Sequence, residues 1–210
     1  MRHIAILGAS RGLGAALAEV IQSEDVGIKI LPLSRQHGTD FTKTDSFDEI
    51  LQKLSEAELD TLYYVAGGGP FGDFGSKEWK DHQWAFRLNF EFPAMLLHYF
   101  LKSPGTLKKI VFVGSSVAES SADPGAASYS AAKHGLKGLV DSVIAEKPEL
   151  IVQLFSPGYM DTDMLPANAW PRQRGLAEEP HAVARRLWQW SESTVECATI
   201  QEATDVRSQS

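Results

Sequence analysis

Short apolar runs and amphipathic stretches alternate along the chain. Residues 3–7 form a continuous apolar run ending in a glycine, the pattern of a strand buried on both faces. Residues 13–23 follow with Leu13, Leu17, Val20 and Ile21 near helical spacing. Residues 29–34 read as the next strand, in which Pro32 lacks the donor a ladder needs. Residues 46–55 carry Phe47, Ile50, Leu51 and Leu54 along one helical stripe. A β-rich run at 61–66 leads into Gly67, Gly68, Gly69 and Pro70, and residues 77–101 predict one long helix bent at Pro93. Then come a strand at 109–114, a helix at 129–146, a strand at 150–155 closed by Ser156, Pro157 and Gly158, a helix at 181–190 and a candidate edge strand at 195–200. Repeated strand–helix units predict an α/β fold: a doubly wound, Rossmann-type parallel sheet with helices on both faces, forming one domain over residues 1–210. Residues 159–180 break the pattern. They are mixed in polarity, contain Pro166, Pro171 and Gly175, and read as a loop covering the substrate.

Composition narrows the function. With 43% hydrophobic and 22% charged residues, the chain falls outside the disordered and fibrous classes. A formal net charge of -7 argues against a nucleic-acid or anionic-membrane surface, while leaving room for a local basic pocket. The single cysteine, Cys197, allows no intrachain disulfide and no thiol cluster, and the six histidines show no metal-ligand spacing. No apolar stretch approaches the ~20 residues of a membrane helix, and the first apolar run is too short for a signal-peptide core. The expectation is a cytoplasmic protein without a metal.

Two constellations carry chemistry. The first predicted strand runs into Gly8, Ala9, Ser10, Arg11, Gly12, Leu13 and Gly14, then a helix. Glycines there let the backbone approach a pyrophosphate, and the helix N-terminus adds free N–H groups and about half a positive charge. Arg35 follows the second strand, where an acidic residue would grip the ribose hydroxyls of NAD; an arginine pairs instead with a 2′-phosphate. Further on, Tyr129 and Lys133 open a helix at i,i+4 spacing, which places phenol and ammonium on one face.

Together these residues resemble the short-chain dehydrogenase/reductase family from end to end. Its glycine spacing is Gly-x-x-x-Gly-x-Gly, its Tyr-x-x-x-Lys is Tyr129 to Lys133, and its serine lies thirteen residues before the tyrosine, at Ser116. Ser115 is the competing serine; the spacing favours Ser116. Asn89, forty residues upstream of Tyr129, matches the asparagine that holds a proton-relay water. The resemblance implies Asn89, Ser116, Tyr129 and Lys133 as the catalytic set. It implies NADP(H) as cofactor, held by Gly8, Ser10, Arg11, Gly12, Leu13, Gly14, Arg35, Asp40, Phe41, Ala66, Gly67, Tyr129, Lys133, Pro157, Gly158 and Thr162. In the family, basic residues at the positions of Arg11 and Arg35 go with NADP, Asp40 and Phe41 line the adenine pocket, Pro157 and Gly158 flank the nicotinamide, and Thr162 binds its carboxamide. The implied reaction moves hydride between nicotinamide and a carbonyl or alcohol carbon of a small molecule, with Tyr129 carrying the proton and Ser116 orienting the oxygen. A phenol near pKa 10 needs roughly 3 units, about 4 kcal/mol, of phenolate stabilisation to act at neutral pH. Lys133 and a cationic nicotinamide are the expected source.

The chain departs from the family pattern in places. Leu7 replaces the usual threonine, only four residues separate Arg35 from Asp40, and the Asn-Asn-Ala-Gly run appears as Tyr64-Val65-Ala66-Gly67. That run has a counterpart in dihydropteridine reductases, one alternative. Another is a regulatory protein that senses NADP(H) without turnover. Trp170 is a candidate substrate contact, Asp161 and Asp163 read as local caps, and the helices around residues 90–100 and Tyr129 resemble the family's interface for a homodimer or homotetramer.

Overall fold

Burial on both faces explains why the strands read as continuous apolar runs. The computed structural model describes residues 1–119 and 123–193, and the backbone of 199–200. It contains β1 (His3–Leu7), α1 (Gly12–Glu24), β2 (Lys29–Leu33), α2 (Phe47–Glu56), β3 (Thr61–Tyr64), α3 (Trp79–Phe86), α4 (Phe92–Lys102), β4 (Lys109–Val113), α5 (Ala127–Ala145), β5 (Ile151–Phe155), α6 (Trp170–Gln173), α7 (Pro180–Ser191) and β6 (Thr199–Ile200). The strands form one parallel sheet in the order β2-β1-β3-β4-β5-β6. Alternate residues of β1 serve opposite faces. Ala5 and Leu7 join a core with α2, α4 and α5, whereas Ile4 and Ile6 join a core with α1 and α7. The fold is therefore an α/β Rossmann-type sheet covered on both sides. Among the described residues no helix is long and apolar enough to cross a membrane.

Three local outcomes bear on the site. Pro32 is tolerated because β2 is the sheet edge and pairs only with β1. After β2 the chain makes a one-turn 3-10 helix (Arg35–His37) and passes directly to α2, so no further strand extends that edge. The long helix expected over 77–101 is instead two helices joined by a wide π turn, Arg87–Glu91. There Phe92 N–H bonds to Arg87 O, Tyr64 Oη donates to Leu88 O at 2.6 Å, and Pro93 has no N–H to return to Asn89 O. The irregularity thus precedes Pro93 rather than centring on it. Of the edge strand expected over 195–200, residues 199–200 pair with β5, and 195–198 lie outside the described residues.

Candidate active site

The chain crosses the sheet in opposite directions from β1, to β2 on one side and β3 on the other. This leaves a crevice at the carboxyl ends of the strands. A cleft of about 890 Å³ opens there. Its floor is the glycine turn. Gly8 has φ +103°, and a Cβ on it would stand 2.6 Å from Ala66 N; a Cβ on Gly14 would stand 2.2 Å from Gly8 O. The turn is pinned where Gly8 N–H and Ala9 N–H donate to Leu33 O (2.8 and 3.3 Å). Arg11 occupies the N-cap of α1 without a side-chain cap, so the first N–H groups of α1 are left for a ligand at the cleft. Thr162 faces this turn, its Cγ2 3.2 Å from where a Gly12 Cβ would lie.

At the β2 end, Arg11 and Arg35 are exposed side chains on the cleft wall, with Ser10, Leu13, Asp40 and Phe41. Asp40 is occupied locally: Oδ1 accepts from Thr42 N–H at 3.0 Å and Thr42 Oγ1 at 2.6 Å. Phe41 is 4% exposed, and its ring packs on Tyr64 and Phe92 at 5.8 and 5.1 Å between centroids. Asp40 and Phe41 therefore build the wall at the shortened crossing; their side chains are engaged in it.

The opposite end holds the chemistry. Tyr129, Lys133, Ser115 and Ser116 all line the cleft, with Gly67, Pro157 and Gly158 beside them. Ser115 is buried and stands near enough to the Tyr129 hydroxyl to favour the phenolate slightly. Ser116 begins a one-turn 3-10 helix, and its N–H donates to Pro157 O at 2.9 Å. Both serines line the cleft, and Ser116 is the one at the spacing that matches the family. Lys133 is 1% exposed and its Nζ donates to Val113 O at 2.7 Å, 5.6 Å from the Tyr129 ring centroid. Burial lowers Lys133 to about 7, because desolvation penalises the ammonium. The Tyr129 phenol is raised rather than lowered: burial dominates, and the Ser115 hydrogen bond offsets only part of it. The expected lowering is thus not a property of these side chains alone.

Asn89 does not line the cleft. It is fully buried in the π turn, where its Nδ2 donates to Gly68 O (2.6 Å) and Ala85 O (2.7 Å) and its Oδ1 accepts from Gly68 N–H (3.3 Å). Its side chain holds the glycine run beside Lys133, since a Cβ on Gly67 would lie 3.2 Å from Asn89 Oδ1 and 3.6 Å from Lys133 Nζ. A second buried tie escaped the sequence reading. His82 bridges Ser128 Oγ (3.0 Å) and Phe74 O (3.0 Å), linking the loop after Pro70 to the residue beside Tyr129.

The loop at 159–180 folds back on itself. Met160 pairs with Glu178, and Arg172 bonds to Asp161, Thr162 O (2.7 Å) and Leu165 O. Tyr159 Oη donates to Asp123 Oδ2 at 3.2 Å, joining this loop to the segment before α5. Trp170 is outside the cleft lining. Its ring meets that of Tyr159, a residue of the lining, in a T-shaped pair at 5.2 Å between centroids and carries Arg174 over it.

A family profile for the short chain dehydrogenases matches residues 34–172. The chain belongs to that family. The match begins after the glycine turn, so the short-chain dehydrogenase assignment does not rest on that turn, and the turn's geometry is separate support. Solved structures with the same fold include BdcA in complex with NADPH (22% identity, TM-score 0.77, covering 90% of this chain and 86% of that one). Others are a 4-hydroxyisoleucine dehydrogenase complexed with NADH (18%, 0.76, 95% and 94%) and a short chain dehydrogenase from Burkholderia cenocepacia J2315 in complex with NADP (21%, 0.73, 89% and 88%). A comparison with curated proteins gave no match. The family makes this short-chain dehydrogenase an oxidoreductase.

Proposed function

We propose that the protein is an NADP(H)-dependent oxidoreductase that interconverts a carbonyl and an alcohol on a small molecule. The observation that carries this reading is one cleft holding both the uncapped glycine turn with Arg11 and Arg35 and the Ser115–Tyr129–Lys133 group. The residues fit the nucleotide. Gly8 and Gly14 let the turn close tightly against Ala66 and Gly8 O, and Gly12 packs on Thr162, which leaves α1's N–H groups for a pyrophosphate. Arg11 and Arg35 supply charge for a 2′-phosphate, while Asp40, Phe41, Ala66 and Gly67 form the adenosine side. Pro157, Gly158 and Thr162 form the nicotinamide side, and Lys133 binds the adjoining ribose. Bound there, NADP(H) supplies or accepts the hydride. The NADP- and NADPH-bound relatives support that choice.

The chain's own residues manage the proton. Burial keeps the Tyr129 phenol protonated, which suits a donor to a carbonyl oxygen. Ser115 Oγ, already at the phenol, donates to the same oxygen and stabilises its developing charge. The reverse direction requires a positive charge near the phenol to lower it, and Lys133 is the residue placed to contribute one. Exposed Phe90 and Met95, beside and on α4, fit a homo-oligomer through that face.

The test is a titration of the purified protein with NADPH and NADH, followed by nicotinamide fluorescence, then a carbonyl panel read as loss of NADPH absorbance. Tight NADPH binding with turnover is expected, and Tyr129→Phe should lower kcat at least 100-fold with little change in NADPH affinity. Failure to bind either nucleotide, or an active Tyr129→Phe, refutes the assignment.

A further inference from the structure

The substrate half of the cleft carries an acid where a neutral carbonyl would need none. Beyond Tyr129 the walls are mostly apolar: Pro70, Phe71, Trp84, Leu88, Val117 and Leu165. Asp123 stands among them at the turn that enters α5; Ala126 N–H donates to Asp123 O at 3.2 Å. The other carboxylates lining the cleft lie elsewhere or are engaged. Glu19 meets His181, Asp161 meets Arg172, and Asp40 is turned onto Thr42. Asp163 lies on the loop that also carries Tyr159 and Leu165, and Glu179 at its junction with α7; neither has a described contact with Tyr159 or Phe71. Asp123 has no cationic partner among the described residues. Its described side-chain contact is the Tyr159 hydroxyl on Oδ2, so Oδ1 keeps its acceptor capacity.

Two aromatic residues stand near this carboxylate. Tyr159 touches it directly, held in turn by the edge of Trp170. Phe71 is half exposed, and its ring tip lies 3.4 Å from where a Cβ on Gly125 would be, two residues from Asp123. Gly72 N–H donates to Gly125 O at 2.9 Å, which fixes Phe71 against that turn. A carboxylate with aromatic neighbours and no paired cation is the chemistry that binds an ammonium group, chiefly through charge-assisted hydrogen bonds. The cations lining the cleft, Arg11, Arg35 and Lys133, belong to the nucleotide side or are buried beneath Tyr129; Lys77, whose Nζ lies 3.3 Å from where a Cβ on Gly72 would be, is outside the cleft lining and makes no described ion pair with Asp123.

Resting on the reductase reading above, we infer that the preferred substrate is a small amino ketone, or the matching amino alcohol, whose ammonium group is held by Asp123 between Phe71 and Tyr159 while its carbonyl meets Tyr129 and Ser115. Balance is simple. Hydride adds to the carbonyl carbon, the C=O π bond breaks, its oxygen takes the Tyr129 proton, and the ammonium is unchanged.

The experiment compares three aryl ketones of similar size, one with an aminomethyl group, one neutral and one with a carboxylate, in wild type, Asp123→Asn and Tyr159→Phe. Wild type should favour the ammonium ketone in kcat/KM, and Asp123→Asn should lose roughly 10- to 100-fold on it while the neutral ketone changes little. Tyr159→Phe should keep the preference, because Asp123 retains its charge. In parallel, benzylamine binding to the NADP-loaded protein is measured by calorimetry, which needs no turnover. Amine binding lost in Asp123→Asn supports the inference even if no ketone is reduced, and then only the reductase reading falls. Turnover without an ammonium preference, or a preference indifferent to Asp123→Asn, overturns the inference and leaves the reductase reading standing.

Discussion

Replacing Lys133 with methionine should remove a pH dependence that the wild-type fold carries. The Lys133 amine is held at about 7 by burial, against 10.5 for an ordinary lysine. The fold therefore favours the neutral amine. Between those two values the folded chain binds fewer protons than the unfolded chain, and stability rises with pH. At pH 9 protonation of the unfolded chain still costs the fold about 1.5 units of the gap; at pH 7 the cost is nearly the whole of it. With each unit close to 1.4 kcal/mol, and allowing for half-protonation of the folded amine at pH 7, wild type should gain roughly 2 kcal/mol from pH 7 to pH 9 that Lys133→Met does not. Methionine also leaves Val113 O without its donor, a pH-independent cost of about 1–3 kcal/mol, so the slope and not the absolute value is diagnostic. The raised phenols of Tyr63, Tyr64 and Tyr129 act above pH 10 and with opposite sign, since their folded forms resist deprotonation. They stay outside this window. Urea unfolding at pH 7, 8 and 9 for both proteins gives the comparison. Parallel stability curves would mean that Lys133 is solvated or ion-paired in solution, and the account of its burial would fail.

Two further substitutions separate the assignments within the cleft. Ser115→Ala should lower kcat by about 100-fold, as loss of an oxyanion donor does, whereas Ser116→Ala should retain most activity; the reverse result would restore the serine that spacing favours. Arg35→Asp should weaken NADPH at least tenfold more than NADH, and equal weakening of both in a fluorescence titration would show that Arg35 does not read the 2′-phosphate.

The fold was legible because each buried strand is an uninterrupted apolar run and each helix shows a single stripe. Ile4 and Ile6 can face one core and Ala5 and Leu7 the other only in a sheet covered on both sides. The cleft residues were legible for a different reason. Glycine spacing and the Tyr129–Lys133 pair are local, and local geometry follows from sequence distance. Legibility ended where distance stopped determining direction. A count of thirteen residues picks out Ser116, but it does not show that the adjacent Ser115, at the N-cap of a 3-10 turn over Ser116–Ala118, also stands near the phenol. Asn89 was found at its expected position, but its side chain binds Gly68 rather than facing the cleft. Helical spacing alone does not reveal the π turn that aims it there. Asp123 and Tyr159 are separated by 36 residues and share no motif, so nothing in the linear order pairs them. Their contact exists because β4 and β5 are neighbours whose following loops emerge at the same end of the sheet. The family's shared motifs are thus written in short-range spacing, while the Asp123–Tyr159 contact to which we assign substrate preference arises from loops that only the sheet order brings together.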